Sequence, residues 1–343
     1  MLLAPLLVIA LVSATALLTP QLQFSRLLDA APALAAAMFP VAGTLVIGLL
    51  AVLASLGVAD AQHDIGQTAS NFSLIAIAAI ALAAAYVSRM RQRHERTLAE
   101  VRTVAEIAQR ALLRPLPQQI EHIDLDVLYQ AAAAQACIGG DFYEATQTSH
   151  GVRLIIGDIR GKGLPAVDAA SVILSAFRVL APGAPDLPSL AEQLDTSMSW
   201  YCRNLPDTLE RFATIVLVEI PAGEPIARVL NCGHPPPLLL QGGEVREVVP
   251  SAPSPPVNMA DLLDADYRVD TIPFHTGDRL LLYTDGVSEA RDADGSFYPL
   301  AQRVCRWSFA PLPDFLEHLR QDLRAYVVGT CADDLAALVV HRR

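Results

Sequence analysis

The sequence predicts an α+β domain preceded by transmembrane helices, and three observations carry that expectation. Nearly all the charge of the 343-residue chain lies after residue 88. Beyond Leu125, short β-rich apolar runs come in clusters, with helical stretches grouped between them instead of alternating one for one. Acidic residues stand at the ends of several of these runs.

The N-terminal part is the source of the high apolar content of 52%. Residues 1–88 hold one basic residue, Arg26, and three acids, Asp29, Asp60 and Asp64. Three apolar runs, Leu2–Leu18, Ala33–Val58 and Phe72–Val87, approach the ~20 residues that a spanning helix needs. Three spans are therefore expected, with two spans plus an interfacial helix as the alternative. Pro40 lies inside the second run, where it would kink the helix or mark its start. Arg89, Arg91, Arg93 and Arg96 follow the third run, and the loop before it carries no Lys or Arg. By the positive-inside rule this predicts a multi-pass protein of the cell membrane whose larger part faces the cytoplasm. No charge lies inside a span, so nothing marks a transport path or proton relay.

Residues 89–117 read as a helical connector. Leu98, Val101, Ala105, Ala108 and Leu112 step by the a/d spacing of a coiled-coil seam, which admits a homodimer through this helix. The same spacing also fits an amphipathic helix packed on its own domain. Pro115 and Pro117 end it.

Residues 118–343 form the third segment. The runs LDVLYQAAAA, VRLIIGDI, FATIVLVEI, IARVLNCG, DRLLLYTD and LAALVVH read as strands. LPAVDAASVILSAFRVLA, PSLAEQLDTSMSWYCRN and two stretches near 300–328 read as helices. A net charge of −11 argues against a nucleic-acid partner. The five cysteines show neither a C-x-x-C pair nor zinc spacing and read as reduced thiols.

Asp141 follows Gly139-Gly140, Asp158 ends LIIG, Asp285 ends LLLYT, and Asp333-Asp334 precede the last strand. A single acid at a strand end is an ordinary turn or N-cap residue. Four such places point to a shared centre, where carboxylates would repel one another unless cations lay between them. An all-oxygen set suits Mg²⁺ or Mn²⁺ better than zinc.

IGGDFYEA, IIGDIRGKGLPA, FATIVLVEI, LNCGHPPPLLL, GDRLLLYTDGVSEARDADGSF and ADDLAALVV occur in the order and spacing of the PPM-type, metal-dependent protein phosphatases. They resemble the bacterial branch typified by stage II sporulation protein E, and LLRPLPQQI resembles the stretch that commonly precedes that domain. The likeness covers about residues 110–341. It implies a four-layer α/β/β/α sandwich with two divalent cations, Mn²⁺ or Mg²⁺, between the sheets. It implies as metal ligands Asp141, Asp158 (bridging), the carbonyl of Ile159, Asp285 and Asp333, with Asp334 in a supporting place. The implied function is a membrane-anchored serine/threonine phosphatase acting on a phosphorylated cytoplasmic protein, such as an anti-sigma-factor antagonist. The alternative is a catalytically inactive scaffold of the same fold.

The chain departs from the pattern in places. Arg160 stands where eukaryotic relatives have a histidine, and Glu144 where an aspartate is usual. Ala336 replaces a threonine, and Tyr298-Pro299 a Phe-Gly. Arg160 and Lys162 are candidates for phosphate binding or proton transfer, although Gly161-Lys162-Gly163 is not a P-loop. His234, among prolines, reads as structural, and Glu289 as a support of the Asp285 loop.

Overall fold

In a computed structural model, residues 4–18, 24–62, 68–130, 139–204, 211–263, 266–327 and 334–343 are described. The chain divides into two compact units, Met1–Glu100 and Val101–Arg343.

The first unit is helical. α1 (Ala4–Leu18) and a 3-10 turn (Phe24–Asp29) lead to α2 (Ala30–Met38), α3 (Val41–Ala61) and α4 (Thr68–Leu112), the last running on into the second unit. Leu28, Ala31, Ala35, Ala51 and Ile77 are buried, whereas Leu7, Leu11, Leu49, Leu53, Leu82 and Val87 are exposed. Pro40 interrupts the second apolar run. It caps α3, and Phe39 before it is extended (φ −115°, ψ 156°), as the clash with a following proline requires. The carbonyl of Phe39, freed at this break, accepts from Ser88 Oγ and Arg91 Nη2, each at 2.9 Å. α3 and the Asn71–Glu100 part of α4 are long and apolar enough to cross a membrane, whereas α1 and Leu27–Met38 are shorter.

The second unit holds two antiparallel sheets. One contains β1 (Gln119–Ile120), β2 (Ile123–Gln130), β7 (Leu238–Gln241), β8 (Glu244–Glu247), β10 (Arg279–Tyr283) and β11 (Leu335–Arg342), in the order β1-β2-β11-β10-β7-β8. The other contains β3 (Phe142–Thr148), β4 (Gly151–Ile159), β5 (Ala213–Ile220), β6 (Ile226–Cys232) and β9 (Val269–Pro273), in the order β3-β4-β5-β6-β9. The helices are α5 (Leu164–Leu180), α6 (Leu187–Asn204), α7 (Ala260–Leu263), α8 (Asp285–Ser288), α9 (Leu300–Val304) and α10 (Leu312–Tyr326).

Strand alternation sorts the side chains into layers. On β11, Ala336, Leu338 and Val340 enter the core shared with the second sheet, and on β10 so do Leu280 and Leu282. Their neighbours Ala337, Val339, Leu281 and Tyr283 instead pack with Phe315, Leu316, Leu319 and Leu323 of α10. α5 places Ala166, Ala169, Ala170, Ile173, Leu174 and Phe177 in the first core at helical spacing. α5 and α6 cover the outer face of β3, β4 and β5. The expected α/β/β/α order of layers is what the unit adopts.

Under α5, β4 carries Arg153, a fully buried arginine. It donates from Nε and Nη2 to Glu219 Oε2 at 2.8 and 2.6 Å, and from Nη1 to the carbonyls of Ala181 and Ala184 at 2.7 Å each. The charge tolerates burial because its donors are matched, and the same bonds fix the end of α5 on the sheet.

Candidate metal centre

The alternation that builds the layers also decides which acids can meet. Tyr143 on β3 faces the gap between the sheets, its ring 6.3 Å from that of Tyr129 on β2. Asp141 precedes β3 at the same parity as Tyr143. Asp158 has the parity of Ile156, the register partner of Tyr143, and lies opposite Thr214. Across the gap, Thr284 continues the parity of Leu280 and Leu282, and Asp334 that of Ala336 and Leu338. Four residues distant in sequence are thus aimed into one end of the inter-sheet gap.

Hydrogen bonds close the arrangement. Thr284 Oγ1 donates to Asp141 Oδ2 at 2.7 Å and accepts from the N–H of Ala336 at 3.0 Å. Asp334 Oδ2 accepts from the Tyr129 hydroxyl at 2.8 Å, the Gly139 N–H at 2.9 Å and Gln109 Nε2 at 3.3 Å. Two glycines are required by close approach. A Cβ on Gly140 would lie 2.6 Å from the Ile159 carbonyl oxygen, and one on Gly286 would lie 1.8 Å from that of Asp334.

Asp141 is buried, and its carboxyl is held well above the ordinary aspartate pKa. Burial is the largest cause, followed by the charge of Asp158; the Thr284 hydrogen bond opposes them, and Asp334 and Asp285 add further repulsion. The donor chemistry therefore fits hard divalent cations: hydroxyl and carboxylate oxygens gathered around a cost that positive charge would relieve. Among the described residues no three His, Cys, Asp or Glu side chains already form a chelating cluster. Asp333 is missing from that set, because it lies outside the described residues.

The other sequence candidates fall as follows. Ile159 is buried, and its N–H donates to the Gly140 carbonyl at 3.2 Å, joining the two acidic loops. Asp285, half-buried, begins α8, and its carbonyl accepts from the Glu289 N–H at 2.7 Å; Glu289 helps this loop through its backbone, with its side chain exposed. Arg160 and Lys162 are exposed on the loop after β4, with the Arg160 guanidinium 5.3 Å above the Phe212 ring. His234, expected to be structural, is buried. Its N–H donates to Asn231 Oδ1 at 2.8 Å, and its Nδ1 lies 2.9 Å from the Thr214 hydroxyl. Burial lowers its pKa to about 3.

Glu144, which stands where an aspartate is usual, lies on the opposite face of β3 from Tyr143 and Asp141. There Glu144 Oε2 meets Arg178 Nε of α5 at 2.5 Å, and Arg178 Nη2 donates to the Leu112 carbonyl at the end of α4 at 2.9 Å. Sequence reasoning also passed over Thr284, Tyr129 and Gln109. Thr284 was recoverable from the period-2 pattern of LLLYT; the other two become visible only when the chain folds.

A family model described as Stage II sporulation protein E (SpoIIE) matches residues 148–343, more than half of the chain. The chain belongs to the SpoIIE family. Among curated relatives of this SpoIIE-family chain, the phosphoserine phosphatase RsbP of Bacillus subtilis is 25% identical over 195 residues, covering 56% of this chain and 46% of RsbP. The protein IcfG of Synechocystis is 22% identical over 264 residues, covering 69% of this chain and 40% of its own. The chain thus spans less than half the length of these curated relatives. Among solved structures, the SiaA-PP2C domain of Pseudomonas aeruginosa shares the fold, with a TM-score of 0.60 and 21% identity over 73% of this chain and 98% of that one.

Proposed function

We propose that this chain is a membrane-anchored, metal-dependent serine/threonine protein phosphatase that hydrolyses phosphoserine or phosphothreonine on a cytoplasmic regulatory protein, such as an anti-sigma-factor antagonist. The observation that carries the reading is Asp141, a buried carboxylate set against the charges of Asp158, Asp285 and Asp334 in a gap between two sheets. Membership of the SpoIIE family and the similarity to RsbP, named a phosphoserine phosphatase, support it.

Asp141, Asp158, Asp285, Asp333 and the Ile159 carbonyl are the residues that would hold two Mn²⁺ or Mg²⁺ ions. Such a pair supplies a water of lowered pKa and neutralises phosphoryl oxygens during in-line displacement. The chain's own part is to hold the acids apart and aimed. Thr284 fixes the rotamer of Asp141, and Asp334 ties the Gly139 turn to the start of β11. Arg160 and Lys162, exposed on the loop after Asp158, are the proposed contacts for the substrate phosphate. Cys202 and Cys232 are disfavoured as nucleophiles, since burial raises the thiol pKa of both.

Membrane anchoring rests on α3 and on the apolar part of α4. Arg89, Arg91, Arg93 and Arg96, which follow the apolar run Phe72–Val87, support a cytoplasmic side for the second unit. The direct test is hydrolysis of p-nitrophenyl phosphate and of a phosphoserine protein by the full chain in detergent, with and without Mn²⁺. Metal-dependent turnover is expected; its absence on both substrates would leave the inactive scaffold as the function.

A further inference from the structure

The Gln109 side chain is buried near the end of α4, six residues before Pro115. A buried carboxamide must find partners, and those of Gln109 are specific. Its Nε2 donates to the Gly139 carbonyl at 3.2 Å and to Asp334 Oδ2 at 3.3 Å. Gly139 lies two residues before Asp141, and Asp334 follows Asp333 directly. One amide group therefore bridges the two chain segments that bring acids from opposite sheets to the gap.

Neighbouring contacts keep that bridge in place. Leu113, one turn on, is buried in the core between the sheets, and the Leu112 carbonyl is held by Arg178. By contrast, Val104 and Ile107 are exposed. Gln109 is thus a buried polar position on this stretch of helix, among whose described residues Val104 and Ile107 face outward.

We infer that Gln109 is a positioning residue of the metal centre: its carboxamide sets the spacing between the Gly139–Asp141 turn and the Asp333–Asp334 segment, and so sets the affinity for divalent cations. The inference rests on the metal reading of the site proposed above. Groups that orient ligands without touching the ion typically change metal affinity 10–100-fold when removed.

The test uses the full chain in detergent and reads Mn²⁺ binding directly, by the loss of free-ion electron paramagnetic resonance signal on titration. Gln109→Met keeps the length and removes both donors. Gln109→Asn keeps the amide but shortens its reach. Both variants are expected to raise the Mn²⁺ dissociation constant about 10-fold or more. In the metal-free protein, both should also speed hydrogen exchange at the Gly139 amide, which is bonded to the same Asp334 oxygen. Ile107→Ala, on the exposed face, should bind as wild type.

A helix-docking role alone would lower the melting temperature and leave the dissociation constant unchanged, and that result overturns the inference. If the methionine variant fails to fold, the asparagine variant decides by the same criterion. If the wild type binds no Mn²⁺, the metal reading itself falls and the inference falls with it. If the wild type binds Mn²⁺ but hydrolyses nothing, only the proposed activity fails.

Discussion

Thr284 and Asp141, 143 residues apart in sequence, meet through a 2.7 Å hydrogen bond that joins the end of β10 to the turn before β3. The bond crosses from one sheet to the other. It also eases the charge of Asp141, against burial and three neighbouring acids. Replacing Thr284 by Val keeps the shape, strips Asp141 of this donor and leaves the Ala336 N–H without its acceptor. A buried group left unsatisfied costs about 1–3 kcal/mol. Urea denaturation of the metal-free protein should show that loss for Thr284→Val and little for Thr284→Ser.

Glu144 provides a contrast among the acids. Its carboxylate faces Arg178 of α5, away from Asp141. Glu144→Gln should therefore lower the melting temperature while leaving the Mn²⁺ dissociation constant within about twofold of wild type, since groups outside a metal's surroundings lack the 10–100-fold effect of those within them. A large loss of Mn²⁺ affinity in this variant would put Glu144 back among the acids that serve the centre.

Arg153 and Glu219 form a buried pair whose members depend on each other. Glu219 is also bonded to Arg228 at 2.6 Å, so its charge is shared between two arginines. Removing Arg153 alone leaves buried carbonyls and a carboxylate short of donors, which for buried pairs costs about 3–5 kcal/mol. Arg153→Met should thus be strongly destabilising in chemical denaturation. Arg153→Met with Glu219→Leu should recover part of the loss, and a double variant worse than the sum of the singles would contradict the pairing.

His234 carries a pH dependence with a defined sign. Burial lowers its folded pKa to about 3, from an ordinary 6.5. Between those values the unfolded chain binds a proton that the folded chain refuses, so stability rises with pH. The contribution is complete above about pH 6.5 and is lost as pH falls towards 3. His234→Gln should flatten this limb of the stability profile between pH 6.5 and 4, measured by denaturant midpoint. An unchanged slope would show that His234 is accessible to protons in the fold.

Much of this was legible in the sequence because strand ends and strand faces follow simple periods. Asp158 and Asp285 stood out as acids closing apolar runs and Asp141 as the acid after a Gly-Gly pair, and β4, β5, β10 and β11 fall where those runs do. The period of two also held information that was passed over: Glu144 stands three positions after Asp141, so extended backbone aims them to opposite faces. β8, with the sequence EVRE, is an exposed edge strand without apolar alternation, and pairing with β7 alone defines it. Pro40 was recognised as a break or a start and proved to be both, ending α2 and capping α3. Gln109 had no signal at all. Its partner Asp334 lies 225 residues away, and only tertiary packing brings them together.

The central claim is that the acids between the sheets hold divalent cations that hydrolyse phosphoserine or phosphothreonine. The most direct measurement is Mn²⁺-dependent dephosphorylation of a phosphoserine protein by the full chain, beside Asp158→Asn. The account expects turnover by the wild type that EDTA abolishes and Mn²⁺ restores, together with loss of both turnover and Mn²⁺ binding in the variant. Metal-independent turnover, or a variant as active as wild type, would contradict it.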